Sequence, residues 1–140
     1  MPLLPHKGIL AIAAVIDIAI NARGRPVAAK ALAGRHRLPP RHLEPVLQAL
    51  VRHGILKGLR GPRGGYELAR EQCRISAVDI LRAAGTVEDG PCAMPAGSAL
   101  LSHVVAPALA QAEQSFANDL AHISVEQLVQ AAAGNRKIAV

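Results

Sequence analysis

The stretch PPRHLEPVLQALVRHGILKGLRGPRGGYEL, residues 39–68, decides the fold. Two prolines and a basic turn open it. An apolar-periodic run then predicts a helix over about 41–53, and Gly54 stands where a left-handed cap ends one. Residues 55–60 and Gly65–Leu68 predict two short strands, joined by a loop carrying Gly61, Pro62, Arg63 and Gly64. In the helix, Leu43, Val46, Leu47, Leu50 and Val51 recur at helical spacing and are assigned to the core, which leaves Arg41, His42, Glu44, Gln48 and Arg52 outside. Pro45 is the awkward residue: a helix interior pays roughly 3 kcal/mol for a proline. It implies either closeness to the helix start or a bend. A helix followed by a basic, glycine-rich hairpin is the layout of a winged helix.

Upstream, residues 6–22 are apolar on almost every side, which predicts a central helix sandwiched between layers. Asn21 to Pro26 then breaks the pattern, and its two arginines, Arg23 and Arg25, suit either a phosphate backbone or a solvated turn. A short amphipathic helix is expected over about 27–35, with Val27, Ala31 and Leu32 as its apolar residues. Joined to the 41–53 helix through Leu38-Pro39-Pro40, it makes a helix-turn-helix, whose second member enters the major groove.

These residues also carry a resemblance. Lys7-Gly8 opening an apolar helix, Asp17 near its end, Leu43-Glu44 in the later helix and Arg60-Gly61-Pro62-Arg63-Gly64-Gly65-Tyr66 in the hairpin resemble the Rrf-type bacterial transcription regulators over nearly the whole chain. The resemblance implies a dimeric DNA-binding regulator, with Glu44 at a position that contacts bases, Arg60, Gly61, Pro62, Gly64 and Gly65 in the wing, and Lys7 touching phosphate. Ile9-Leu10 replaces the Arg-Tyr that family members often carry after that Lys-Gly, which removes one expected backbone contact.

Composition agrees with a duplex partner. The 140 residues allow one compact domain with an appended element. The formal net charge is +6, and it is unevenly spread: residues 1–82 hold fourteen of the sixteen Lys/Arg but only five of the ten Asp/Glu. Tyr66 and Phe116 are the only aromatics, which argues against single-strand modules that stack bases on aromatic faces. The core must instead be aliphatic and alanine-rich. The apolar run over 9–20 is interrupted by Asp17, is shorter than the roughly 20 residues of a membrane span and lacks a leader-type cleavage site, so a cytoplasmic protein is expected.

Downstream of the wing, Ser76 with Asp79 three places on predicts a capped helix ended by Gly85. Residues 86–97 carry no periodicity and are expected to be a loop. The longest helical candidate, 98–122, has Leu101, Val105, Ala108, Leu109, Ala112, Phe116 and Leu120 along one stripe, with Pro107 as a possible kink or later start. At 1.5 Å per residue it would run about 37 Å, further than the small domain can cover, so it is expected to pair with its twin. Ser124 and Gln127 predict a capping box opening a last helix. The expected division is thus 1–85 for DNA binding, 86–97 as loop and 98–140 for the dimerisation and terminal helices.

The candidate reading residues are Arg41, His42 and Glu44, because the first residues of a recognition helix meet base edges, where Arg suits guanine and Glu accepts from cytosine. Arg60 and Arg63 flank the hairpin tip and suit a narrow, strongly negative minor groove. Each set has a plain alternative, a solvated helix face and a tight hairpin with solubilising arginines. Cluster-binding relatives carry three cysteines in the loop before the long helix, since an iron–sulfur cluster needs several thiolates. Here that loop has Cys92 alone, so no such cluster and no metal site is expected, and Cys92 is a candidate redox-sensitive thiol instead. Cys73 reads as an inert small residue. The six histidines are scattered, and no HExxH, Walker-type loop or nucleophile elbow is present, so no enzyme is indicated. The function expected is a sequence-specific, homodimeric DNA-binding transcription regulator; the alternative is a protein-binding adaptor on the same scaffold with weakened DNA contacts.

Overall fold

The computed structural model describes residues 4–85 and 98–135. Along them run α1 (His6–Asn21), α2 (Ala29–Arg35), α3 (Pro40–Arg52), β1 (Leu56–Leu59), β2 (Gly65–Leu68), a 3-10 turn (Gln72–Arg74) and α4 (Ala77–Ala83). A π-helical turn (Leu101–Val105) then leads directly into α5 (Ala106–Ala121), and α6 (Val125–Ala133) follows. The strands form an antiparallel hairpin with Leu56 opposite Leu68 and Leu59 opposite Gly65. This is the mainly helical winged helix-turn-helix with a two-stranded wing that the sequence predicts.

The core is aliphatic. Ala11, Ala14, Val15 and Ile18 of α1 are inaccessible to solvent, as are Leu32, Leu43, Leu47, Leu50, Ile75, Ile80 and Val125, which meet them from the surrounding elements. Alanines on α1 let neighbouring helices approach closely, so α1 touches α3, α4, α6 and β2 at once. Each valine, leucine or isoleucine side chain so buried contributes roughly 1.5–3 kcal/mol. α1 is the expected strut, though not on every side, because Ile9 remains exposed.

Helix ends follow the local chemistry. Ser76 and Ser124 each accept from the backbone N–H three residues on, while Asp79 and Gln127 accept from the serine N–H in return. At the end of α3 the Ile55 N–H donates to the Leu50 carbonyl and the Gly54 N–H to that of Val51, both at 3.0 Å, with Gly54 at φ 74°. The Ile55 N–H is thus spent on the cap, and β1 starts one residue later than the alternation suggests. α2 ends the same way, with Leu38 N–H donating to Ala33 and Arg37 N–H to Gly34. Its left-handed residue, however, is Arg37 at φ 55°, a conformation that costs an L side chain roughly 1–2 kcal/mol.

Three differences from the sequence reading have identifiable causes. Val27 lies before α2 rather than in it: its N–H donates to Tyr66 O and its carbonyl accepts from Tyr66 N–H, both at 2.8 Å, adding one rung to the wing. Pro45 lies well inside α3, which is helical on both sides of it. It faces solvent, so the Arg41 carbonyl that a proline cannot bond is left on the wet side. The long helix is present, but Leu101–Val105 widens to a π turn, because Pro107 has no N–H for the His103 carbonyl.

Residues 102–116 are almost entirely exposed, and the helix meets the body near its C-terminal end, where Ala117 and Leu120 pack on Ala77, Val78 and Leu81. α6 turns back so that Val125 enters the main core. Among the described residues no helix is long and apolar enough to cross a membrane. The expected 86–97 loop lies outside the described residues.

Candidate nucleic-acid interface

Pro39 and Pro40 start α3, where a proline loses no helical hydrogen bond. Leu43 is fully buried and anchors the first turn, which holds Arg41, His42 and Glu44 out in solvent at one end of the helix. Gln48, one turn further along, is also exposed and lines a cleft with Val51, Gly58, Arg60 and Tyr66 between α3 and the wing.

The hairpin tip projects Arg60, Gly61, Pro62 and Arg63 into solvent. Gly61 takes φ 108°, and the Gly64 N–H closes the turn on the Gly61 carbonyl at 2.9 Å. Gly64 and Gly65 are dictated by crowding. A Cβ on Gly64 would collide with the Leu59 carbonyl, and one on Gly65 would lie 2.5 Å from the Val27 carbonyl oxygen. On the far side of the wing a second cleft is lined by Arg25, Pro26, Ala28, Pro62 and Arg63. Lys7, exposed in the first turn of α1, lines neither cleft.

Several basic side chains are committed internally. Lys57 pairs with Glu67 across the hairpin at 2.9 Å, and Arg70 donates to the His53 and Gly54 carbonyls at the end of α3. Arg35 donates twice to Asp17, at 2.6 and 2.9 Å. By contrast, Arg23, Arg25, Arg41, Arg60 and Arg63 have no ion pair among the described residues. These five lie at the start of α3, on the wing and on the turn between α1 and α2. A polyanion fits that face.

The sequence reading notes Asp17 without assigning it a partner. It is 9% exposed, the sole buried charged residue among those described, and it ties α1 to the end of α2 just ahead of α3. Besides Arg35, Asn21 Nδ2 donates to it at 3.0 Å and His36 Nε2 lies 2.9 Å from Oδ2. Burial pushes its carboxyl up, but the bonds from Arg35 and Asn21, the Arg35 charge and the His36 contact outweigh that and hold it below the usual range; the same pairing raises Arg35. One clue was in the sequence: a lone acid inside an apolar run needs a buried partner.

Cys92 lies outside the described residues. Cys73 is exposed beside the wing, its Sγ 3.8 Å from Glu71 Oε2. The sequence carries two cysteines, Cys73 and Cys92, and among the described residues no three His, Cys, Asp or Glu side chains group in a way that could hold a metal ion.

Comparison with known proteins identifies the family. A family model described as Rrf2, iron-dependent transcriptional regulator, matches residues 4–131. A Neisseria meningitidis serogroup A protein assigned to the HTH-type transcriptional regulators is 38% identical over 106 residues, 76% of this chain and 70% of that one. The HTH-type transcriptional regulator IscR of Xenorhabdus nematophila is 30% identical over 132 residues, 91% of this chain and 79% of the relative. The solved structure of T. potens IscR superposes with a TM-score of 0.75 at 24% identity, over 99% of this chain and 93% of that one, a likeness of fold.

Proposed function

Because the chain belongs to the Rrf2 family of transcriptional regulators, and is itself a DNA-binding regulator rather than an enzyme, we propose that it works as a homodimer that reads a pseudo-palindromic operator in the cytoplasm. Residues 1–85 are the reading unit and 98–140 the dimerisation unit. Arg41, His42 and Glu44 meet base edges in the major groove, while Arg60, Gly61, Pro62, Arg63 and Gly64 approach the neighbouring minor groove and Lys7 a phosphate. The observation that supports this most is the distribution of arginines that have no ion pair among the described residues: Arg41 at the start of α3, Arg60 and Arg63 on the wing, and Arg23 and Arg25 on the adjoining turn. The exposed apolar residues Val104 in the π turn and Leu109 and Phe116 in α5 support pairing along this long helix.

Selection of bound fragments from random DNA tests the reading. It should return half-sites about 10 base pairs apart or a multiple of that. On the selected site, Glu44→Ala should relax base preference more than it weakens non-specific binding. Arg60→Ala with Arg63→Ala should lower affinity and flatten the salt dependence by about 0.9 log units per lost phosphate contact. Affinity unchanged in that double variant would favour the adaptor reading.

A further inference from the structure

The turn between α1 and α2 lies against the wing, and the two are held together. The reciprocal pair of 2.8 Å bonds between Val27 and Tyr66 fastens the end of the turn to β2, and Gly65 permits that approach because a Cβ there would run into Val27. Gly24 at φ 79° and Pro26 set the path of the turn. The result is a cleft in which Arg25 lines one wall and Arg63 belongs to the wing tip, with Gly24, Ala28, Pro62 and Gly64 around them.

Charge in this cleft is unopposed. No Asp or Glu occurs in the chain between Asp17 and Glu44. Asp17 is occupied by Arg35, Asn21 and His36, and Glu67 on the wing is paired with Lys57. Arg23, Arg25 and Arg63 are exposed and have no ion pair among the described residues. Two guanidinium groups bordering a cleft whose remaining walls are glycine, alanine and proline suit one phosphate group, since planar fork donors bind phosphate oxygens two at a time.

We propose that the α1–α2 turn is a further DNA-contacting element, in which Arg25 and Arg63 hold one backbone phosphate of the strand bordering the groove that the wing enters, with Arg23 adding charge at its edge. The proposal rests on the DNA-binding reading above and adds to it a contact outside α3 and the wing. It is a contact to backbone, so it contributes affinity without sequence preference.

The test is a salt titration of the full-length protein on a labelled random-sequence duplex. Arg25→Ala should reduce the slope of log affinity against log salt by about 0.9. Arg63→Ala should do the same, and the double variant should lose less than the sum of the two single changes, because both guanidinium groups act on the same phosphate. Arg25 is exposed, so unchanged thermal midpoints should accompany these effects. Additive slopes would overturn the shared phosphate. An Arg25→Ala slope equal to wild type, alongside a reduced slope for Arg60→Ala, would overturn the contact from the turn and leave the DNA-binding reading standing. Wild-type slopes in Arg25→Ala, Arg60→Ala and Arg63→Ala together would overturn both.

Discussion

Replacing Asp17 by asparagine keeps the shape of the side chain and removes the charge on which Arg35 and His36 converge. Breaking a fully buried ion pair costs about 3–5 kcal/mol. The Arg35 side chain is 38% exposed, so water recovers part of its solvation and the cost falls to about 2 kcal/mol. For a chain of this size that corresponds to a fall in thermal midpoint of roughly 6–10 °C. The loss should depend on pH in a defined direction. The folded-state carboxyl is held below its ordinary value, so its contribution is complete above the unfolded value of about 3.9 and is lost as pH falls through that value towards the folded one. Urea unfolding of wild type and Asp17→Asn at equal protein concentration should therefore show a gap that is constant from neutral pH to about 5 and closes below about 4. A gap under about 0.5 kcal/mol at neutral pH, the range of ordinary surface substitutions, would refute the reasoning. So would a gap of constant size across the acid range.

Leu109→Glu combined with Phe116→Glu places charge on the exposed apolar stripe of α5; sedimentation should show wild type as the proposed dimer and this variant as a monomer, while the helical circular dichroism of the body persists. Gly65→Ala forces a methyl group into the Val27 backbone and should cost about 1–3 kcal/mol, the range for overpacking, measured by denaturant midpoint. Arg37→Gly relieves the left-handed strain at the end of α2 and should raise stability by about 1 kcal/mol, visible as a higher thermal midpoint.

What the sequence made legible was whatever chemistry acts between near neighbours. Gly54, the paired prolines before α3, the two serine capping boxes and the Gly65–Leu68 strand each state their structure within a few residues, and the structure reproduces them. Leu43, Val46, Leu47 and Leu50 are buried for the same reason, because helical spacing alone puts them on one face. Contacts formed across long sequence separations were not legible. Val27 carries no local sign that it will pair with Tyr66, and it reads equally well as the first apolar residue of α2. The partners of Asp17 lie eighteen and nineteen residues away at Arg35 and His36, in a segment that looks like a basic helix end. For the candidate site, exposure of Arg41, His42, Glu44, Arg60 and Arg63 followed from the pattern. The cleft joining Arg25 to Arg63 did not, since it exists only once the turn is fastened to the wing.

The junction between α5 and α6 bears on what spacing of target the protein tolerates. The Ala77 N–H donates to the Ile123 carbonyl and the Val125 N–H to the Ile75 carbonyl, each at 2.8 Å, which rivets the root of the long helix to the start of α4. In a dimer closed along α5, the two DNA-reading heads would behave like the jaws of a fixed caliper rather than beads on a string. For such a dimer, an operator with one base pair too many would have to twist to fit, because these two bonds hold the root of each long helix to its own head.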